Sequence, residues 1–259
     1  MKAAAMFDLT GRVALVTGAS SGLGVQFAHA LTDNGAAVAL VARRAERLKA
    51  LKEEIEGRGG RALALEADVT DRAAMNAAFD AAEKAFGTVT ILINNAGVAM
   101  QPARAVEVPA QEWRKVLGVD LDAVFYNAQE AARRMLAAKK PGAIVNIASV
   151  LGLGVAKGVV AYATAKAGLI QMTKALALEL AFKGVRVNAI APGWFVTEIN
   201  EDYLNGEAGA AIKRDIPMGR FGAAGDLDGA LLLLVSDAGS YIAGQTVVVD
   251  GGQVVQIKG

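Results

Sequence analysis

The chain contains no cysteine and a single histidine, His29. The first absence excludes disulfides, thiolate nucleophiles and Cys-based metal sites. The second leaves almost no material for His-dependent catalysis or a His-rich metal centre, so no metal is expected. Charge of one sign is also scarce: 27 basic and 26 acidic residues give a formal net charge of +1, with no basic block and no acidic tail. That balance argues against nucleic acid or an anionic membrane as a partner. Long apolar runs are missing as well. The segment "ALLLLV" at 230–235 falls far short of the roughly 18 residues that a membrane span needs. The start "MKAAAMFDLTGR" reaches Asp8 too early for a secretory signal, and a cytoplasmic location is the expectation.

What is present is a core. Hydrophobic residues make up 54% of the 259 residues and charged ones 20%, enough to fill one large α/β domain. Strand-like and helix-like segments alternate with little between them. "RVALVT" (12–17), "AVALVA" (37–42), "RALALEADV", "VTILINNAG", "GAIVNIAS" (142–149) and "VRVNAIAP" (185–192) are short, apolar and β-branched. Between them lie helical patterns, one with Leu48, Leu51 and Ile55 on a single face, one spanning about 109–138 and one about 160–183. Uniformly apolar strands separated by helices predict a parallel sheet with helices on both faces. No linker or composition break divides the chain, so residues 1–259 are expected to form one domain. The exception to the alternation is about 193–225, expected to be a substrate loop.

Two short patterns carry chemistry. "TGASSGLG" (17–24) joins the first strand to the first helix, with Gly18, Gly22 and Gly24 allowing a tight turn and a close backbone approach. A helix N-terminus at such a turn offers free N–H groups and a positive dipole, which suit a pyrophosphate. "AYATAKAG" (161–168) places Tyr162 and Lys166 four positions apart, about 40° around a helix and one turn up. With four tyrosines and 13 lysines in the chain, chance supplies about one Tyr-x-x-x-Lys match in five such sequences, so this pair needs its context.

The context is a T-G-x-x-x-G-x-G turn, "NNAG" (94–97), Ser149 placed 13 residues before Tyr162, "PG" at 192–193 and a closing "YIAGQTVVVDGG". Together these resemble the short-chain dehydrogenase/reductase family over essentially the whole chain, 3-oxoacyl-(acyl-carrier-protein) reductases and ketone reductases included. The resemblance implies a single-domain Rossmann-type doubly wound parallel sheet of about seven strands, and a nicotinamide cofactor held by Gly18, Ser20, Ser21, Gly22, Leu23 and Gly24 at the pyrophosphate. It further implies Asp68 and Val69 at the adenine, and the backbone of Asn95, Ala96 and Gly97 along the ribose. Pro192, Gly193, Phe195 and Thr197 match the segment at the nicotinamide carboxamide and phosphates. At the end of the second strand, "LVARRAE" puts Ala42 where NAD-preferring relatives carry Asp, followed by Arg43 and Arg44. A guanidinium suits a 2′-phosphate, so NADP(H) is expected over NAD(H), although the two arginines could simply begin a solvated helix.

The same resemblance makes Tyr162 the acid/base of a carbonyl–alcohol interconversion, Lys166 its tuning cation and ribose anchor, and Ser149 the ligand of the substrate oxygen. The family has an Asn in the preceding helix, and here "VDLDAVF" (119–125) carries Asp120. Two readings of Asp120 stand open: it keeps a water relay with altered tuning of Lys166, or the exchange is neutral. Residues after Ser149 and in the 193–219 segment, Trp194 among them, are small and apolar, which fits a small hydrophobic carbonyl or alcohol. The long helices match those that pair subunits in the family, which implies a homotetramer. A non-catalytic NADP-sensing or scaffold protein on the same fold is the alternative reading.

Overall fold

In the computed structural model, residues 3–198 and 200–255 are described. A short helix α1 (Ala3–Met6) precedes a single parallel sheet of seven strands: β1 (Val13–Thr17), β2 (Ala37–Ala42), β3 (Arg61–Glu66), β4 (Ile91–Asn94), β5 (Gly142–Ile147), β6 (Val185–Pro192) and β7 (Thr246–Val249). Their order is β3-β2-β1-β4-β5-β6-β7, so the winding reverses between β1 and β4. Ligands bind at such a reversal, outside the carboxyl ends of the strands. β1, β2, β4 and β5 are buried at every position, which is why their sequences are continuously apolar rather than alternating.

Helices close both faces. On one face α2 (Leu23–Asp33), α3 (Ala45–Gly57) and α10 (Asp228–Val235) bury Phe27, Leu31, Leu48, Leu51, Ile55, Leu231 and Leu234 against the sheet. On the other, α4 (Arg72–Phe86), α6 (Ala123–Ala137) and α7 (Val160–Leu180) bury Met75, Phe79, Ala128, Ala131, Met135 and Ala177. Fully buried Phe27 and Phe79 each contribute about 1.5–3 kcal/mol by leaving water. Asp71 starts α4 by accepting the backbone N–H groups of Ala73 (2.9 Å) and Ala74 (3.1 Å).

The helical stretch expected over about 109–138 is not continuous. It divides into α5 (Ala110–Leu117), a π-helical turn (Gly118–Asp122) and α6. The extra residue per turn swings Asp120 fully into the interior, where its Oδ1 accepts the Val98 N–H at 2.8 Å. The stretch after β6 also has more order than its sequence pattern suggests: it carries α8 (Glu201–Asn205) and α9 (Glu207–Arg214). Phe195 fastens this excursion back on itself through a β-bridge to Gly222, and a Cβ at Gly222 would sit 2.4 Å from the Phe195 ring.

Candidate active site

The carboxyl ends of β1, β4, β5 and β6 meet at one edge of the sheet. Thr17, the last residue of β1, ties two of them together. Its Oγ1 accepts the backbone N–H groups of Asn95 (3.0 Å) and Ala96 (3.1 Å) and donates to the Ile93 carbonyl (3.3 Å). The Asn95 amide in turn donates to the carbonyls of Thr17 (2.9 Å) and Gly18 (3.3 Å). The N–H groups of Asn95 and Ala96 are therefore taken up by Thr17.

Close packing leaves no room for side chains in the Gly-rich turn. Gly18 has φ +68°, and a Cβ there would stand 2.8 Å from Ala96 Cα; a Cβ on Gly24 would stand 2.3 Å from the Gly18 carbonyl oxygen. Both contacts are with backbone, which cannot swing aside. The first turn of α2 has neither an acidic residue nor a side-chain cap, so its N–H groups and dipole are presented bare. This cradle fits a dinucleotide pyrophosphate.

The two arginines after β2 diverge. Arg44 turns toward the cradle, its Nε donating to Ser20 Oγ (3.0 Å) and its Nη2 to Ser21 Oγ (2.5 Å). Arg43 is 74% exposed and stands 3.8 Å from Asp68. Asp68 itself is locked in a local turn, accepting the backbone N–H (2.9 Å) and hydroxyl (2.7 Å) of Thr70; those two bonds, with Arg43 adding to them, hold its carboxyl below the usual aspartate value. Val69 follows it at the strand end, half-buried. No carboxylate lies between Ala42 and Glu46 to repel a phosphate.

On the other side of the reversal, β5 ends at Ile147 and its chain runs extended through buried Ser149 into a 3-10 turn (Val150–Gly152). Ser149 Oγ accepts the Leu151 N–H at 3.1 Å, which leaves its own proton to donate outward. The turn lies directly on α7: a Cβ at Gly152 would stand 2.7 Å from the Lys166 carbonyl group. Ser149 and the Tyr162–Lys166 helix are thereby fixed relative to one another. Lys166 is 4% exposed, donates from Nζ to the Ile147 carbonyl at 3.0 Å, and holds Nζ 5.5 Å from the centre of the Tyr162 ring. Tyr162 packs among Val98, Met100, Val116, Ala161 and Ala165. Behind Lys166 sits Asp120, its Oδ2 3.8 Å from Nζ. Burial pushes the Asp120 carboxyl up from the usual aspartate value, while Lys166 and the Val98 N–H pull it back part of the way.

The segment after β6 completes the edge. Pro192 pairs with Val249, and the Gly193 N–H donates to the Val249 carbonyl at 2.9 Å, sealing β6 to β7. Phe195 is buried, with its ring against Gly222, so it offers backbone rather than side chain. The Thr197 N–H (2.8 Å) and hydroxyl (3.1 Å) both reach Asn200 Oδ1.

Several participants were not legible beforehand. Asn200 and the Val98 N–H organise the site without belonging to a quoted pattern, and Thr17 and Ile147, though they lie inside quoted stretches, were given no role there. Asn94 and Asn146, directly opposite in the β4–β5 register, form a buried chain with Thr173: Asn94 Nδ2 donates to Asn146 Oδ1 (2.9 Å), and Asn146 Nδ2 to Thr173 Oγ1 (2.9 Å). A polar residue inside each of two otherwise apolar strands was the available signal. Arg47 on α3 also pairs with Glu198, which lies past Thr197, and this contact spans the mouth between α3 and the loop. Among the described residues no helix is long and apolar enough to cross a membrane, and no three His, Cys, Asp or Glu side chains gather as a metal-binding group.

A parallel sheet with a Gly-rich turn at its reversal is the frame of the class, and the family match and relatives fix it: the chain belongs to the short-chain dehydrogenase/reductase family and is an oxidoreductase. The family described as enoyl-(acyl carrier protein) reductase matches residues 18–253. The chain is 40% identical over 250 residues to D-threitol dehydrogenase of Mycolicibacterium smegmatis, covering 96% of this chain and 95% of the relative. It is 41% identical over 251 residues to 3beta-hydroxysteroid dehydrogenase 1 of Eggerthella lenta, with 96% and 95% covered. Its fold superposes with a TM-score of 0.94 on a gluconate 5-dehydrogenase from Burkholderia cenocepacia in complex with NADP and tartrate, at 33% identity and covering 99% and 100% of the two chains.

Proposed function

We propose that the protein is an NADP(H)-dependent oxidoreductase that interconverts a ketone or 3-oxoacyl carbonyl and a secondary alcohol. The observation that carries this reading is Lys166 Nζ, anchored 3.0 Å from the Ile147 carbonyl at the end of the strand that leads to Ser149 and held 5.5 Å from the centre of the Tyr162 ring. Bound at the cradle, the nicotinamide supplies or accepts the hydride. The chain does the rest. Ser149 donates its free proton to the carbonyl oxygen and steadies the charge that develops there. Tyr162 delivers a proton to that oxygen as the alcohol forms, and removes it in the oxidation direction. Lys166 holds its ammonium beside the phenol, which favours the ionised form that the reverse step needs. Arg44, already oriented by Ser20 and Ser21, supports the choice of NADP(H), because a phosphate can replace those two hydroxyls with a charge-assisted pair.

The turn after Ser149 carries Leu153 and Val155 exposed, and the loop opposite carries Val196 and Met218 exposed. These favour a small hydrophobic carbonyl or alcohol over a charged one. Tyr126 on α6, together with Leu178 and Phe182 at the end of α7, leaves aromatic and aliphatic surface bare along two long helices, which supports a homotetramer in solution. The test is an NADPH-oxidation screen over ketones, diketones, 3-oxoacyl thioesters, polyols and hydroxysteroids, with mass measured by light scattering. Turnover of an apolar carbonyl, with NADPH more efficient than NADH, is expected. Tight NADPH binding without turnover of any of them would instead point to a cofactor sensor.

A further inference from the structure

Asp120 departs from the family pattern, and its surroundings say what the carboxyl is for. It is fully buried, one oxygen accepts the Val98 N–H at 2.8 Å, and the other has no hydrogen-bond partner. That second oxygen faces Lys166 Nζ at 3.8 Å, near enough for an ion pair and too long for a formed hydrogen bond. If the polar side chain existed only to receive the Val98 N–H, an asparagine would serve equally. With its oxygen on Val98, however, an asparagine would turn its NH2 toward the Lys166 ammonium, donor against donor. A carboxyl presents an acceptor to both neighbours at once.

The surroundings leave Lys166 as the partner. Of the elements packed on the π-helical turn, α7 presents Lys166 and Tyr162. On α5, Glu112 and Lys115 pair with each other at 3.4 Å and Arg114 is exposed. On α6, Tyr126 lies against the Arg72 guanidinium and Arg134 pairs with Asp80, Glu83 and Glu130; Asp122 on the turn itself is exposed. Gly97 backs onto the carboxyl, where a Cβ would lie 3.3 Å from Oδ1, so water has little room to screen it. Of its three protons Lys166 uses one on the Ile147 carbonyl, and Asp120 Oδ2 stands 3.8 Å from the same nitrogen.

We propose that Asp120 is a positioning residue, the buried counter-charge of Lys166, and that its carboxylate offsets the field Lys166 exerts on Tyr162 and so sets the pH range over which the phenol exchanges its proton. This rests on the assignment of Tyr162 as the acid/base, but its test does not require turnover. No covalent step is involved; one negative charge is added behind the ammonium. Removing that charge makes the phenol ionise at lower pH.

The experiment is the ultraviolet titration of Tyr162 in the full chain, isolated as the difference between each protein and its Tyr162→Phe counterpart. Asp120→Asn moves the ionisation down by about 0.5–1 pH unit relative to the native side chain, as removal of a nearby buried charge does. An unmoved titration in a folded Asp120→Asn protein overturns the proposal and leaves Asp120 a purely structural ligand of Val98. Should Asp120→Asn fail to fold, Lys166→Met in the native background serves. Infrared titration of the buried carboxyl then moves up by more than about one pH unit when its counter-charge is lost, and an unchanged carboxyl overturns the pairing. Neither readout depends on a substrate, so failure of the screen above and failure here are separate results.

Discussion

Arg44 holds two serine hydroxyls of the Gly-rich turn at once, Ser20 from Nε and Ser21 from Nη2. The second strand and the phosphate cradle are thus joined by one guanidinium whose planar fork is aimed before any ligand arrives. Arg44→Ala should raise the KM for NADPH about 10- to 100-fold, the range of a lost charge-assisted contact, while leaving NADH nearly unaffected. Paired steady-state kinetics with both cofactors checks this. An equal loss with both would show that Arg44 serves the turn and not the phosphate.

Gly24 tests the cradle itself. A methyl there meets the Gly18 carbonyl oxygen at 2.3 Å, backbone against backbone. Gly24→Ala should cost about 1–3 kcal/mol in urea unfolding and abolish NADPH binding by fluorescence. Gly57→Ala is the control. Nothing lies within 4 Å of its added Cβ, so a gain of about 0.4–1 kcal/mol is expected from the loss of unfolded-state freedom.

The Arg47–Glu198 pair bridges α3 and the loop after β6. The hydrogen bond from Arg47 holds the Glu198 carboxyl below the ordinary glutamate value of 4.5. A depressed acid contributes its stabilisation above that ordinary value and loses it as pH falls through the lower folded value. Stopped-flow release of NADPH should therefore quicken below about pH 4.5 in the native protein. Glu198→Gln should show the faster release already at pH 7, with no change in melting temperature because the pair is exposed. A melting temperature that falls while release stays unchanged would contradict this role.

Asn146 is the centre of the buried Asn94–Asn146–Thr173 chain that ties β4 and β5 to α7. Asn146→Ala removes the better acceptor of the Asn94 amide, which keeps only the Val124 carbonyl at 3.4 Å, and leaves the Thr173 hydroxyl, still donating to Leu169 at 2.8 Å, with nothing to accept. The expected loss is about 1–3 kcal/mol in denaturant unfolding, the cost of leaving buried polar groups unpaired. A neutral result would mean that water replaces the missing amide.

Much of the fold was written in the sequence because both faces of the sheet are covered. "AVALVA" cannot be a surface strand, and the Leu48, Leu51, Ile55 spacing admits only one buried helix face. The Gly-rich turn and the Tyr162–Lys166 pair were legible for a related reason: each depends on local backbone geometry that a few neighbouring residues dictate. What escaped depends on distant contacts. The π-helical turn at Gly118–Asp122 breaks a pattern that reads as continuous helix, since the Val98 amide bound by Asp120 comes from another part of the chain. Arg43 and Arg44 look equivalent side by side, and only Ser20 and Ser21 across the turn decide which one points inward.

The most direct test of the account is single-turnover NADPH oxidation with a carbonyl from the screen, comparing the native protein with Tyr162→Phe at matched cofactor occupancy. The native protein should consume one NADPH per site, and Tyr162→Phe should bind NADPH normally yet react about 10²- to 10⁴-fold more slowly, the contribution of a positioned general acid. Equal rates in the two proteins would contradict the assignment of Tyr162 as the proton donor.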